Sequence, residues 1–509
     1  MLDPKETLTQ KFVKKWFWLY FFTILIGPIG YIVKMMISRD LSVEEVGVIY
    51  GIISFIMLIS SYNDLGVTES LNYFLPKYIV AKEYGKAKYL FLLALKTQIV
   101  TSIFIVSILF FLRWWLSDHY FGTDVRDTLS VALLFLLGIN IFHSGIILFS
   151  VSQDTKLSKS AEFIRLGGTA IGTATLFFTD AGNVFAYMTA WIGGLFVGCI
   201  FSVFFAYRKY YKPYFLSVKA DGSNSLWKGF FRYSLATLIT ANIGTVLSQI
   251  DMQLIINFLD QKSVGYYSNY LSLIGLPFMI IGPIIGFIFP VISELTGRKD
   301  DKKIQTIVQE FSMYFMIISL WMSIFFIQFG EEMSVILFGE KFRMSGVILA
   351  YSAPFIFFNF MTQIAFQVLA WIGKIKERAK ILLITLMINV PLTLVLIHTP
   401  LSVKWAALAV GMSWIPLWFL STRALEKYKP KLHLAPALRN AWAALLTFGI
   451  CIVWKKYTHI SEVSFFFVAI FVYMSIFLIT NRSTLLEIKN VIARVRAPKI
   501  SQTSHSEEF

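Results

Sequence analysis

The chain has 509 residues, of which 57% are hydrophobic and 17% aromatic but only 15% charged, with a mean hydropathy of +0.67. A soluble globule carries about a quarter charged residues, so a soluble domain is excluded, and the short alternating segments of a membrane β-barrel are missing too. Against that apolar background the net charge of +16 marks membrane topology and contact with anionic lipid, and needs no nucleic-acid partner.

Apolar runs of roughly 20 residues recur along the chain, each long enough to cross a ~30 Å hydrocarbon core. Fourteen spans are expected, centred near residues 26, 56, 100, 140, 170, 195, 246, 276, 320, 358, 389, 413, 447 and 472. The predicted fold class is an all-α polytopic membrane protein. No cleavable signal peptide is evident, because the first run begins at Trp16 behind a basic stretch and no small-residue cleavage site follows. With the N-terminus in the cytoplasm, 35 of the 46 Lys and Arg fall in inward-facing segments. That bias puts both termini on the cytoplasmic side of a cell membrane. Cys199 and Cys451 lie in different spans with no partner at ligand spacing, and read as packing residues.

The stretch "LSVEEVGVIY" (Leu41–Tyr50) returns as "LDQKSVGYYS" (Leu259–Ser268), with the Val-Gly pairs 218 residues apart. Asn140 in span four and Asn359 in span ten are offset by 219 and each begins a polar stripe. Six spans separate the copies, so both point the same way, as in parallel repeats about a pseudo-twofold axis along the membrane normal. The predicted organisation is an N-lobe of six spans over residues 1–206, a cytoplasmic linker over 207–232 and a C-lobe of six spans over 233–425. Two further spans over 437–481 and a basic amphipathic tail over 482–509 complete it. Two bundles facing one another across a cleft form an architecture for moving solutes, with the site where the halves meet.

Periodicity picks the lining of that cleft. On a helical wheel, Asn242, Thr245, Ser248, Gln249, Asp251 and Gln253 of span seven fall in a polar arc of roughly 220°, with their apolar neighbours filling the rest. So wide an arc points to a water-filled cavity, although interhelical hydrogen bonding is the plainer alternative. Asn359 and Gln363 of span ten form a narrower stripe, and Asn140 and His143 share one side of span four. His143 has the reading of a hydrogen-bonded packing residue beside that of a proton carrier. Asp251, ~13 Å below the outer boundary at 1.5 Å per residue, is a candidate for ion coupling or for a structural hydrogen bond. Asp64 and Glu69 lie toward the lower end of span two, Asp64 within the helix-breaking "NDLGV" (Asn63–Val67) and Glu69 just after it. They either pair with Lys96 of span three inside the bundle or are solvated outside it. The tyrosines near both ends of the spans suit interfacial anchoring, with sugar contact the alternative.

The segment "ISRDLSVEEVGVIYGIISFIMLISSYNDLGVTESLNYFLPKYI" resembles the opening of polysaccharide-type flippases of the Wzx kind, in the multidrug/oligosaccharidyl-lipid/polysaccharide exporter superfamily. Arg39, Gly47 and Leu65–Gly66 carry the likeness, and Asp251, Gly265, Tyr267 and Pro290 carry it in the second half. The resemblance implies a V-shaped pair of lobes with alternating access. It further implies flipping of a polyprenyl-diphosphate-linked oligosaccharide from the inner to the outer leaflet, often driven by an ion gradient. A diphosphate calls for a cation, and Lys96 and Lys34 are the candidates. The coupling ion would be H⁺ or Na⁺ with no other cofactor. The partners would be the lipid-linked glycan, membrane lipids and polymerase or glycosyltransferase machinery. Relatives that flip the peptidoglycan precursor tend to carry several Arg in the first three spans, whereas here only Lys34, Arg39 and Lys96 stand near them.

Two other classes compete. A multidrug or cation antiporter on the same scaffold would use Asp251, Asp64 and Glu69 as its acids. A membrane enzyme would need a catalytic motif, and the sequence has no H-E-x-x-H, P-loop or loop of clustered carboxylates.

Overall fold

The structure, a computed structural model, describes residues 8–297, 299–399, 403–432, 434–457 and 462–482. The basic tail beyond Arg482 lies outside the described residues. Every regular element among them is a helix. In chain order these are α1 (Leu8–Asp40), α2 (Val43–Asn63), α3 (Val67–Val80), α4 (Tyr84–Phe111), α5 (Arg126–Val151), α6 (Thr155–Phe178), α7 (Val184–Ala206) and α8 (Asn224–Phe258). They continue as α9 (Gln261–Gly297), α10 (Asp301–Phe338), α11 (Arg343–Ser352), α12 (Ile356–Trp371), α13 (Ile375–Ile397), α14 (Val403–Ala424), α15 (Leu434–Tyr457) and α16 (Glu462–Thr480).

Ten segments among the described residues are long and apolar enough to cross a membrane. The other four expected spans, α6, α8, α9 and α16, are helical but do not meet that test there. For α6 and α8 the reason is composition: α6 opens on Lys156, Lys159, Glu162 and Arg165, and α8 carries the polar arc.

Local chemistry sets the helix ends. Ser42 and Glu45 form a reciprocal capping box that starts α2, with Ser42 N–H donating to Glu45 Oε2 at 2.8 Å and Glu45 N–H to Ser42 Oγ at 3.2 Å. Asp154, Asn183, Ser223 and Asp300 cap α6, α7, α8 and α10 in the same side-chain-to-backbone manner. The expected break in span two is real. Leu65 and Gly66 turn into the left-handed region at φ 52° and 72°, and the Asp64 carboxylate accepts from Gly66 N–H at 2.9 Å and Thr68 N–H at 3.2 Å to restart α3. Span ten is interrupted as well, by a 3₁₀ turn at Ala353–Phe355 around Pro354 that separates α11 from α12.

Within the first half of the chain, α6 packs on α7 and α1, and α5 on α7 and α4. Within the second, α13 packs on α14 and α8, and α10 on α11 and α12. The halves meet chiefly where α2 crosses α9 and α8, with α3 against α8. One further likeness holds for the donors of two contacts but not for their acceptors, Asp154 and Asp301, which stand at the start of different spans of the two halves. Lys209 and Tyr210, after α7, both donate to Asp154, at 2.6 and 2.7 Å. Lys427 and Tyr428, after α14, both donate to Asp301, the tyrosine at 2.5 Å. These two Lys-Tyr pairs are separated by the same 218 residues as the Val-Gly pairs.

Helices α15 and α16 are fastened to α10 by a ladder of polar contacts. Trp321 donates to Asn440 at 3.0 Å, Gln328 bridges the Phe448 carbonyl and the Tyr473 hydroxyl, and Lys455 pairs with Glu332 at 2.6 Å.

Candidate functional site

A cavity of about 530 Å³ lies where the two halves meet, walled by α1, α2, α8 and α9 with Leu166 of α6 at one edge. Its polar groups are Tyr31, Lys34, Tyr50, Ser54, Gln249, Ser268 and Ser272, and among the described residues Lys34 is the one charged group in the lining. Lys34 is only 7% exposed. Its ammonium sits 3.1 Å from the centroid of the Tyr50 ring and donates to Ser268 Oγ at 3.2 Å. No carboxylate pairs with it among the described residues. A buried ammonium held by a ring face and one hydroxyl keeps donor capacity for an incoming anion.

A relay of neutral groups closes one wall. Ser54 donates to Gln249 at 2.7 Å, Gln253 donates to Ser54 at 2.7 Å, and the Tyr120 hydroxyl donates to Gln253 at 2.6 Å. Ser54, a lone hydroxyl in the apolar run "GIISFIM", joins helices from both halves and was not singled out by the sequence. Tyr50, Ser268 and Ser272 were missed likewise, because only the fold brings them beside Lys34.

The two ends of this joint are built differently. At the end far from the N-terminus, Gly47 of α2 meets α9 with no room for a side chain: a methyl group there would overlap the Gln261 carbonyl. One on Gly265 would overlap the Val43 carbonyl. The two copies of the repeated Val-Gly thus lie against each other. Around them Arg39 donates to the Ile336 and Leu337 carbonyls at 2.5 and 3.3 Å, and Lys341 to the Arg39 and Leu41 carbonyls at 3.0 and 2.5 Å. Each cation thereby satisfies carbonyls at the end of a helix from the other half, where the helix dipole favours positive charge. At the near end, Ser234 donates to the Leu65 carbonyl at 2.5 Å and the Tyr73 and Tyr233 rings stack at 4.7 Å.

The remaining predicted residues divide. Gln249 reaches the cavity with Lys34. Thr245 and Asn242 are half-buried further along α8, where Asn242 donates to the Leu238 carbonyl, and the exposed Ser248 donates to that of Thr245. Gln363 donates to Asn359 on the half-buried face of α12. Asn140 is buried inside the first half and donates to Ser102 at 2.9 Å, and His143 beside it is half-buried against Phe142. Lys96 and Glu69 are exposed and Asp64 is spent on the helix break. Among the described residues no ion pair joins Lys96 to either acid.

Asp251 points away from the cavity. It is 4% exposed and accepts from Thr393 of α13 at 3.0 Å. One turn along, Asn389 donates to Ser413 of α14 at 3.4 Å and leaves its own side-chain oxygen unpartnered. The carboxylate is therefore held by neutral donors, the Thr393 hydroxyl and the Asn389 side chain, with no cation bonded to it among the described residues. No cluster of three His, Cys, Asp or Glu able to hold a metal is found among them.

The family model described as polysaccharide biosynthesis protein matches residues 12–296. The chain belongs to that family. An uncharacterized membrane protein of Methanocaldococcus jannaschii is 21% identical over 461 residues, covering 87% of this chain and 88% of the relative. Among solved structures, the lipid II flippase MurJ in an inward closed conformation superposes with a TM-score of 0.73 at 11% identity, covering 93% of this chain and 98% of that one. An inward-facing multidrug resistance MATE transporter gives 0.65 at 13% identity over 79% and 94%. A transporter from Pyrococcus furiosus, described as having a binding pocket of reverse polarity, gives 0.57 at 14% identity over 82% and 97%. At these identities the likeness is one of fold. Family and fold together make the chain a multi-span membrane protein of the polysaccharide biosynthesis family.

Proposed function

We propose that the protein flips a polyprenyl-diphosphate-linked oligosaccharide from the inner to the outer leaflet. In this reading two six-helix lobes, residues 1–206 and 233–425, alternate about the cavity, and the chain crosses a cell membrane fourteen times with both termini in the cytoplasm. The observation that supports it best is the cavity lining, a single buried cation among hydroxyls and amides with no acid. Lys34 takes the diphosphate, while Gln249 and Ser54 exchange their mutual bonds for glycan hydroxyls. That exchange removes much of the cost of desolvating a sugar. Asp251 is the coupling group for H⁺ or Na⁺, set in the second lobe behind the same helix. A glycosyltransferase and polymerase machinery would supply and consume the substrate.

The test is deletion of the gene with analysis of which lipid-linked sugar accumulates inside, followed by complementation. Lys34→Gln is expected to lower flipping about tenfold or more, the scale of a buried charge-assisted hydrogen bond. Unchanged flipping in that variant overturns the diphosphate role. Asp251→Asn is expected to remove the ion dependence, and an unaltered dependence overturns the coupling role. An antiporter for amphipathic cations fits less well, because the cavity offers such a substrate a lysine and no carboxylate. Drug resistance on expression in an efflux-deficient host would favour it.

A further inference from the structure

A second cavity, of about 430 Å³, lies between α10 and α15 and is lined by Ile327, Gln328, Glu332, Phe448, Ile452 and Lys455 among others. Glu332 is 6% exposed, whereas the Lys455 side chain is about half exposed, at 48%. Glu332 stands six residues before the end of α10 at Phe338, ~9 Å at 1.5 Å per residue. That places the pair near the boundary between headgroups and hydrocarbon. Ile327 and Ile452, both exposed, flank the mouth, so the cavity opens sideways toward surrounding lipid.

The bonding within the cavity is incomplete. Gln328 is committed at both ends of its amide, to the Phe448 carbonyl and the Tyr473 hydroxyl. The Glu332–Lys455 contact uses one carboxylate oxygen and one ammonium hydrogen. Among the described residues nothing else bonds either group. An ion pair taken out of water is stable only when further partners satisfy its remaining lone pairs and protons.

We infer that this cavity binds the headgroup of a zwitterionic phospholipid carrying a primary ammonium, with its acyl chains leaving past the exposed Ile327 and Ile452 into the surrounding bilayer. The lipid phosphate takes the free hydrogens of Lys455, and its ammonium takes the second oxygen of Glu332. The four charges then alternate in a closed ring. An anionic headgroup brings no cation for the carboxylate, and a choline headgroup brings a cation with no N–H to donate. The site depends on the chain spanning a membrane and not on the flippase reading.

The experiment is native mass spectrometry and thermal unfolding of the detergent-purified full chain with dioleoyl phosphatidylethanolamine, phosphatidylglycerol or phosphatidylcholine. Retention of the ethanolamine lipid is expected to exceed the other two by about fivefold, with a matching rise in unfolding temperature. Glu332→Gln should bring it down to the phosphatidylcholine level. Ile327→Trp, which fills the mouth and leaves the ion pair in place, should do the same without loss of fold. Equal retention of the three lipids, or strongest retention of phosphatidylglycerol, overturns the inference. So does a destabilisation by Glu332→Gln that is the same with and without lipid, which would make the pair a simple tether. Should Glu332→Gln fail to fold, an Ile327→Trp protein with undiminished ethanolamine selectivity overturns it alone.

Discussion

The far and near ends of the joint between the halves close by different means. At the far end backbone lies on backbone at Gly47 and Gly265, and Arg39 and Lys341 reach across to helix-end carbonyls. At the near end Gly66 also lies against backbone, where a methyl group would overlap the Ser234 carbonyl, but what surrounds it is two hydroxyls on carbonyls and a pair of stacked tyrosines, one of which, Tyr73, is 52% exposed, with no cation reaching across among the described residues. Cations seated on the carbonyls of a helix end hold one register, whereas stacked rings slide and part at small cost. The difference teaches that cations seated across the joint, and not close glycine contacts alone, set the far end apart from the near one.

Substitutions can break or sharpen this contrast, and a bifunctional thiol cross-linker joining Glu44→Cys to Lys262→Cys, whose native Oε1 and Nζ lie 3.8 Å apart, reports far-end closure. The largest effect is expected from Gly47→Val, which drives a branched side chain into the Gln261 carbonyl. Overpacking of this kind costs about 1–3 kcal/mol, enough to cut cross-linking about tenfold. Undiminished cross-linking would remove the backbone contact from the account. Lys341→Ala and Arg39→Ala should each cost about 1 kcal/mol of closure, a fivefold shift, with Arg39→Lys in between because it loses the forked donor. Equal effects of these variants at the near end, measured by accessibility of a cysteine at Tyr233, would erase the distinction. The smallest change is expected from Tyr73→Ala. A half-exposed stacking pair is worth about 0.5 kcal/mol, so near-end accessibility should rise about twofold and far-end cross-linking stay as it was.

Much of the frame was legible in the sequence because it rests on local chemistry. The break at Leu65–Gly66 was written in "NDLGV", where an Asp can cap the restart and a Gly can take positive φ. The polar arc of α8 was legible too, but its width hid two environments. Gln249 belongs to the cavity, and Asp251, two residues on, is held by Thr393 and Asn389. A wheel gives direction and not the neighbour met there. Asn140 shows the same limit: its stripe resembles that of Asn359, yet it is consumed by Ser102 inside the first half. Long-range partners were illegible altogether. Nothing near Lys34 in the chain announces Tyr50 or Ser268, and nothing beside Arg39 announces the end of α10.

The facing of Gly47 and Gly265 carries a historical consequence. If the halves descend from one shorter gene, its product paired as a twofold dimer with a single glycine opposite itself on the axis. Any enlargement of that residue would have been felt twice in one stroke. Fusion into one polypeptide released the two positions to drift apart, and the space between them still admits only hydrogen.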